Sequence, residues 1–451
     1  MKAFDLIIRS ANVVTPEGVA RNDILITGQT IAAIGPALED AADETLDASG
    51  LHVFPGLIDS HVHFNEPGRA HWEGISTGSR ALAAGGGTMF FDMPLNAHPP
   101  TIDAASFDRK EVAALASSFT DFALWGGLVP NNLDHLEELH DQGVIGFKAF
   151  MANSGIEDFP CVDDRTLRAG MKKAAQLKQI VAVHAESEAI TSELTRDFLA
   201  RGKTAVRDFL ASRPISAELD AIERALEMAG ETGCDLHIVH ISCGAGIAWV
   251  ASAQKLGVKV TCETCPHYLV LTEDDMERIG ALAKCAPPLR PRSAQDGLWE
   301  FLKTGNITTI GSDHSPAPPD LKTHSNFFKV WGGISGVQHT LPLLITEGHI
   351  QRELALPMIV RLTSFNVARR FKLPPAKGGI AIGADADLAL VDIHRSFEVI
   401  AKDLLYRHQH SPYCGRALTG KVAQTILRGQ TIYKNDKITG EPTGKLVKPV
   451  R

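Results

Sequence analysis

His61 and His63 stand at i and i+2 near the end of an apolar run, Leu57 to His63. On a β-strand both imidazoles leave the same face, close enough to grip one cation. Other apolar runs close on similar residues: Val181-Ala-Val-His184, His237-Ile-Val-His240 and Gly311-Ser-Asp313. Brought to one rim, His61, His63, His184, His240 and Asp313 supply the donor types of a divalent-metal centre. Lys148, in Gly146-Phe-Lys-Ala-Phe150, lies between phenylalanines, where an ammonium is costly to bury without a partner. One reading is a salt-bridged lysine at a strand end. The other is an N6-carboxylysine: the neutral amine captures CO2, and the carbamate oxygens bridge two divalent cations. Charge favours the carbamate, because two dications against carbamate, Asp313 and a bridging hydroxide leave a centre of about +1 that polarises a carbonyl.

Several other residues invite chemistry and do not support it. Cys262 and Cys265 form a C-x-x-C, but no second pair completes a zinc ribbon. Gly85-Gly-Gly87 lacks the following Lys-Ser/Thr of a phosphate loop. His237 alternates away from His240 and should point into a helix layer. His314, beside Asp313, is assigned to packing.

These residues need elements that aim them. Beyond Pro55-Gly56, apolar strands alternate with helical patterns, the signature of parallel βαβ units. Strands are expected near 57–63, 88–93, 122–128, 146–151, 180–186, 235–242, 259–264 and 306–313, with helices including 163–178, 186–211, 217–232 and 244–256. Eight such units predict an α/β fold, a (β/α)8 TIM barrel over 55–375, whose chemistry sits at the C-terminal ends of its strands. Short β-rich runs in 1–54 and again in 376–451 predict a small discontinuous β-sandwich domain built from both chain ends.

With 451 residues, 44% hydrophobic and 22% charged, the chain has the composition of a well-cored globular protein. A formal charge of −8 with no dense basic run argues against nucleic acid and anionic membranes as partners. No apolar run reaches a membrane span, and Asp5 and Arg9 interrupt the beginning where a signal peptide would be apolar. Seven cysteines, an odd number, fit reduced thiols. A cytoplasmic protein is expected.

The motifs Asp59-Ser-His61-Val-His63-Phe-Asn-Glu-Pro-Gly68, Lys148, His184-Ala-Glu186, His240-Ile-Ser242, Cys265-Pro-His-Tyr268 and Gly311-Ser-Asp-His-Ser-Pro316 resemble the cyclic-amidohydrolase branch of the amidohydrolase superfamily. Within it, Asp92-Met-Pro-Leu-Asn96, Lys284-Cys-Ala-Pro-Pro-Leu-Arg290 and Trp331-Gly-Gly-Ile-Ser-Gly336 look most like the allantoinases. Dihydroorotases are similar but carry a carboxylate-gripping arginine where this chain has Asn65. Hydantoinases and dihydropyrimidinases are similar but carry a tyrosine where it has Asn153. Non-catalytic relatives of the hydantoinases lose metal ligands, whereas all six ligand types are present here.

The resemblance implies one metal on His61, His63, carboxylated Lys148 and Asp313, a second on the carbamate, His184 and His240, and a bridging hydroxide. Zinc, cobalt and manganese all suit such donors. It implies that Asp313 is the general base and acid, and that allantoin is the small-molecule substrate, opened to allantoate in purine catabolism. Backbone groups near Cys285, Gly332 and Gly333 are expected to read the ring. Asn96 and Ser315 are expected at the ureido tail, with Asn65 and Asn153 also among the substrate contacts. A homotetramer is the family's common assembly.

Overall fold

The structure, a computed structural model, describes residues 4–451. Eight parallel strands close into a barrel. They are Leu57–Val62, Gly87–Asp92, Asp121–Leu124 continued by Gly126–Gly127, Phe147–Phe150, Ile180–His184, Asp235–Ile238, Val260–Thr264 and Thr309–Ile310. A parallel bridge between Val62 and His314 joins the eighth strand to the first.

Period-two burial sorts the side chains. Phe90, Phe122, Val181 and Val183 face the helices and join the main core. Met89, Phe91, Ala123, Trp125 and Ala182 face the barrel axis. Phe371 plugs the axis from below, its ring 5.2 Å from Phe91 and 5.4 Å from Trp125. Fully burying such a phenylalanine stabilises the fold by about 1.5–3 kcal/mol.

The helices follow their sequence signals. Asp163 caps Asp164–Gln176 by accepting from the Thr166 N–H at 2.7 Å. Left-handed Gly233 stops Ile215–Thr232. The single helix expected over 186–211 is two, Glu188–Ala200 and Val206–Ala211. Gly202, at φ +68°, takes the chain through the turn between them.

Both chain ends supply one nine-stranded sheet. Its seam pairs Leu388 with Pro55 and Leu390 with Val53, antiparallel, and Ile8, Val13, Ile24, Leu388 and Ile426 pack on its inner side. Lys377 ties this sheet to the barrel, lying 2.7 Å from both Asp121 and Asp387 and 2.8 Å from Asp385.

His237 departs from expectation. It points into the barrel, in register with inward Ala182, and its ring packs 5.4 Å from Phe371. The reason is His240, whose φ of +43° breaks the alternation after the strand ends at Ile238. Both histidines therefore face inward, His237 deep and His240 at the rim.

Candidate active site

The C-terminal strand ends converge on a cavity of about 370 Å³, with His61, His63, His184, His240 and Asp313 at its floor. The Nε2 atoms of His61 and His63 lie 3.3 and 3.4 Å from Asp313 Oδ1. On the other side, His184 Nδ1 faces His240 Nε2 at 3.1 Å. Asp313, like His240, has a left-handed backbone, φ +47°. Such strain in a non-glycine residue costs about 1–3 kcal/mol and persists only where the surroundings enforce it.

Carboxylates behind the rings choose their tautomers. Glu263 Oε1 lies 2.8 Å from His61 Nδ1. Burial alone would raise the Glu263 pKa, but the charges and hydrogen bonds of His61 and His237 hold it well below the carboxylate range. An ionised carboxylate only accepts, so Nδ1 carries the proton and Nε2 presents a lone pair. That Nε2 has no hydrogen-bond partner among the described residues. Glu186 Oε2 does the same for His184 Nε2 at 2.8 Å, leaving Nδ1 with a lone pair that faces His240 Nε2. Against its burial, Arg213 and then His184 hold Glu186 at about 2. Burial also lowers the pKa of His63, His184 and His240, which favours neutral, ligating rings.

Lys148 is fully buried, and its Nζ has no hydrogen-bond partner among the described residues. It sits 4.9 Å from the centre of the Phe150 ring, and burial pushes its pKa down to about 7. Asp313 is held at about 2: burial raises it, but His61 and His63 outweigh that. Orphaned ring nitrogens, an orphaned amine and one ionised carboxylate fit a divalent-cation centre.

Asn96, Asn153, Cys285, Ser315, Gly332 and Gly333 all line the cavity. Asn65 does not. Its φ of +64° turns the side chain away, and Nδ2 donates to the Pro316 carbonyl at 3.3 Å. Asn96 Nδ2 donates to Ser315 Oγ at 3.3 Å. Asn153 Oδ1 accepts from the Gly155 N–H at 2.9 Å and builds the loop it belongs to. The Gly333 N–H is already spent on the Lys284 carbonyl at 2.7 Å. His314 turns away from the centre: its Nδ1 accepts from the Gly336 N–H at 3.1 Å.

Sequence reasoning assigned no role to Glu263, Arg213 or the aromatic walls Phe150 and Trp331. Glu263 was findable, since it occupies an inward position on the seventh strand. Arg213 pairs with Glu186 and also lines the cavity, but no local pattern marks it.

The amidohydrolase family profile matches residues 52–432, spanning the barrel and the return into the β-sheet. The chain belongs to the amidohydrolase family. Among similar members of this metal-dependent family, an allantoinase of Rubrobacter xylanophilus is 53% identical, covering 100% of this chain and 99% of its own. One of Deinococcus radiodurans is 51% identical over 99% of both, and one of Escherichia coli is 44% identical over 96% of this chain and 95% of its own. Among solved amidohydrolase-like structures, the L-hydantoinase (dihydropyrimidinase) of Arthrobacter aurescens superposes with a TM-score of 0.96 at 35% identity, covering 99% of this chain and 100% of its own. A dihydropyrimidinase of Brevibacillus agri gives 0.92 at 30% identity, covering 99% of each.

Proposed function

We propose that this amidohydrolase opens the cyclic amide of allantoin to allantoate. The observation that carries this reading is full-length identity of 53% and 51% to two relatives named allantoinase. Hydantoin or dihydropyrimidine hydrolysis is the second reading, favoured by the 0.96 structural match to the hydantoinase but at only 35% identity.

In our reading Lys148 is carboxylated. His61, His63, Asp313 and the carbamate would hold one divalent ion, His184, His240 and the carbamate would hold the other, and zinc is the proposed metal. Bound there, the ions supply Lewis acidity and a hydroxide at neutral pH. The chain supplies the rest. Asp313, at the floor beside both His61 and His63, accepts the proton released on attack and returns it to the departing ring nitrogen. Its low pKa keeps it an ionised acceptor at neutral pH. Glu263 and Glu186 keep His61 and His184 in fixed orientation. Leu95, Phe150 and Trp331 wall the cavity. Asn96, Ser315, Cys285 and Gly332 line the cavity; in this reading the first two meet the ureido tail and backbone at the other two meets the ring.

Among the described residues no helix is long and apolar enough to cross a membrane. A cytoplasmic homotetramer is part of the same proposal. Incubating metal-loaded protein with allantoin and assaying allantoate tests the reaction. Ring opening of hydantoin without that of allantoin would transfer the assignment to the second reading.

A further inference from the structure

Two lysines outside the metal centre are buried among carbonyls. Lys284 and Lys322 are 5% and 8% exposed, and among the described residues their hydrogen bonds go to backbone oxygens alone. Lys284 Nζ donates to the carbonyls of Phe327 at 2.7 Å, Phe328 at 3.3 Å and Val330 at 2.5 Å. Lys322 Nζ donates to those of Ala281 at 3.4 Å, Trp331 at 3.0 Å and Gly333 at 2.7 Å. Burying an ammonium is unfavourable unless its donors are satisfied, and here three carbonyl oxygens converge on each. An ammonium, with three donors and no acceptor, suits that task; a planar guanidinium does not.

Five of the six carbonyls belong to residues 327–333. This segment contains one short 3-10 turn, Phe327–Lys329, and forms a wall of the cavity. The same segment is tied by its N–H groups: Trp331 donates to the Leu321 carbonyl at 2.9 Å, and Gly333 to that of Lys284 at 2.7 Å. Gly333, at φ +131°, lies so close to Ser315 that an added Cβ would stand 2.1 Å from its carbonyl oxygen. Trp331 and Gly333 therefore have both peptide groups committed. Gly332, between them, has neither its N–H nor its C=O bonded to protein among the described residues, and a Cβ there would meet nothing within 4 Å.

We propose that Lys284 and Lys322 are positioning residues: they hold the 327–333 segment by its carbonyls so that the unspent N–H and C=O of Gly332 are presented to the ring of a cyclic-amide substrate. This rests on the cyclic-amide reading of the site. A residue offering its own N–H and C=O matches the adjacent C=O and N–H of such a ring. Fixing it in advance removes the ordering cost from binding. The contribution is to ground-state and transition-state binding alike, so its loss should appear in KM rather than kcat.

The test uses full-length, metal-loaded Lys284→Met and Lys322→Met. Each is expected to raise KM for allantoin about tenfold or more, with kcat within about threefold and metal content unchanged. Wild-type KM in both folded, metal-replete variants would overturn the proposal. Hydrogen exchange of the wild-type protein gives a second reading that needs no variant. The Trp331 and Gly333 amides should exchange at least about a hundredfold slower than an open loop, and unprotected exchange there would overturn the clamp even if the variants fail to fold. If the wild type opens hydantoin but not allantoin, the KM comparison is made on hydantoin. A KM rise there upholds the clamp while the allantoin reading falls.

Discussion

Glu263 Oε1 lies 2.8 Å from His61 Nδ1, while its Oε2 accepts from Ser60 Oγ at 2.6 Å and stands 4.0 Å from His237 Nε2. One buried carboxylate thus fixes the His61 ring at the cavity floor and stands near a second histidine deeper in the barrel. Glu263→Gln keeps the shape but removes the charge and lets an amide N–H face the ring. Metal affinity should fall about 10–100-fold. Titration against a competing chelator measures this, and wild-type affinity in the folded variant would contradict the role.

Lys148 should make activation pH-dependent. Burial depresses its pKa from 10.5 to about 7, so the amine is mostly protonated at pH 6 and mostly free at pH 8. Only the free amine captures CO2. At constant dissolved CO2, reconstitution of metal-free protein with zinc should be about tenfold faster at pH 8 than at pH 6. Lys148→Ala should lose most metal and activity, partly restored by a short carboxylic acid. Equal rates at both pH values, or an active Lys148→Ala, would count against the carbamate.

Asp313→Asn separates holding a cation from moving a proton. The amide oxygen can still approach a cation, but it cannot take the proton. We expect kcat to fall about 10³-fold, with a smaller change in KM. His314→Ala should retain both metals, because His314 faces the Gly336 N–H rather than the centre. Metal-replete Asp313→Asn within about tenfold of wild type would require another base.

Gly332 and Gly333 should respond differently to one methyl group. Gly333→Ala must displace the Ser315 carbonyl and keep φ at +131°, and should cost about 2 kcal/mol or more of stability. Gly332→Ala meets open space and should change stability by less than about 0.5 kcal/mol. Denaturant melts of the pair give the comparison.

The sequence made the barrel legible because each inward run ends on a chemically distinctive residue. His61 and His63 announce a shared face through period-two spacing, His184 closes its strand, and His240 and Asp313 follow theirs by two and three residues. The rule failed where the backbone leaves the strand. Left-handed His240 let His237 turn inward, and left-handed Asn65 turned its amide to Pro316 instead of the cavity. Glu263 and Arg213 escaped notice for a different reason. Each acts on a histidine far away in the chain, His61 across 202 residues and His184 through Glu186, and local periodicity carries no information about such pairs.

Substrate choice tests the central claim most directly. Among the described residues the one guanidinium lining the cavity, that of Arg213, is paired with Glu186, and Asn65 offers no clamp for a ring carboxylate. Metal-loaded protein should be assayed side by side on allantoin, hydantoin, dihydrouracil and dihydroorotate. The account predicts the highest kcat/KM for allantoin, exceeding dihydroorotate by about a hundredfold or more, since an unpaired carboxylate in the cavity forfeits at least one charge-assisted hydrogen bond. Comparable values for allantoin and dihydroorotate, or a higher value for hydantoin or dihydrouracil, would contradict it.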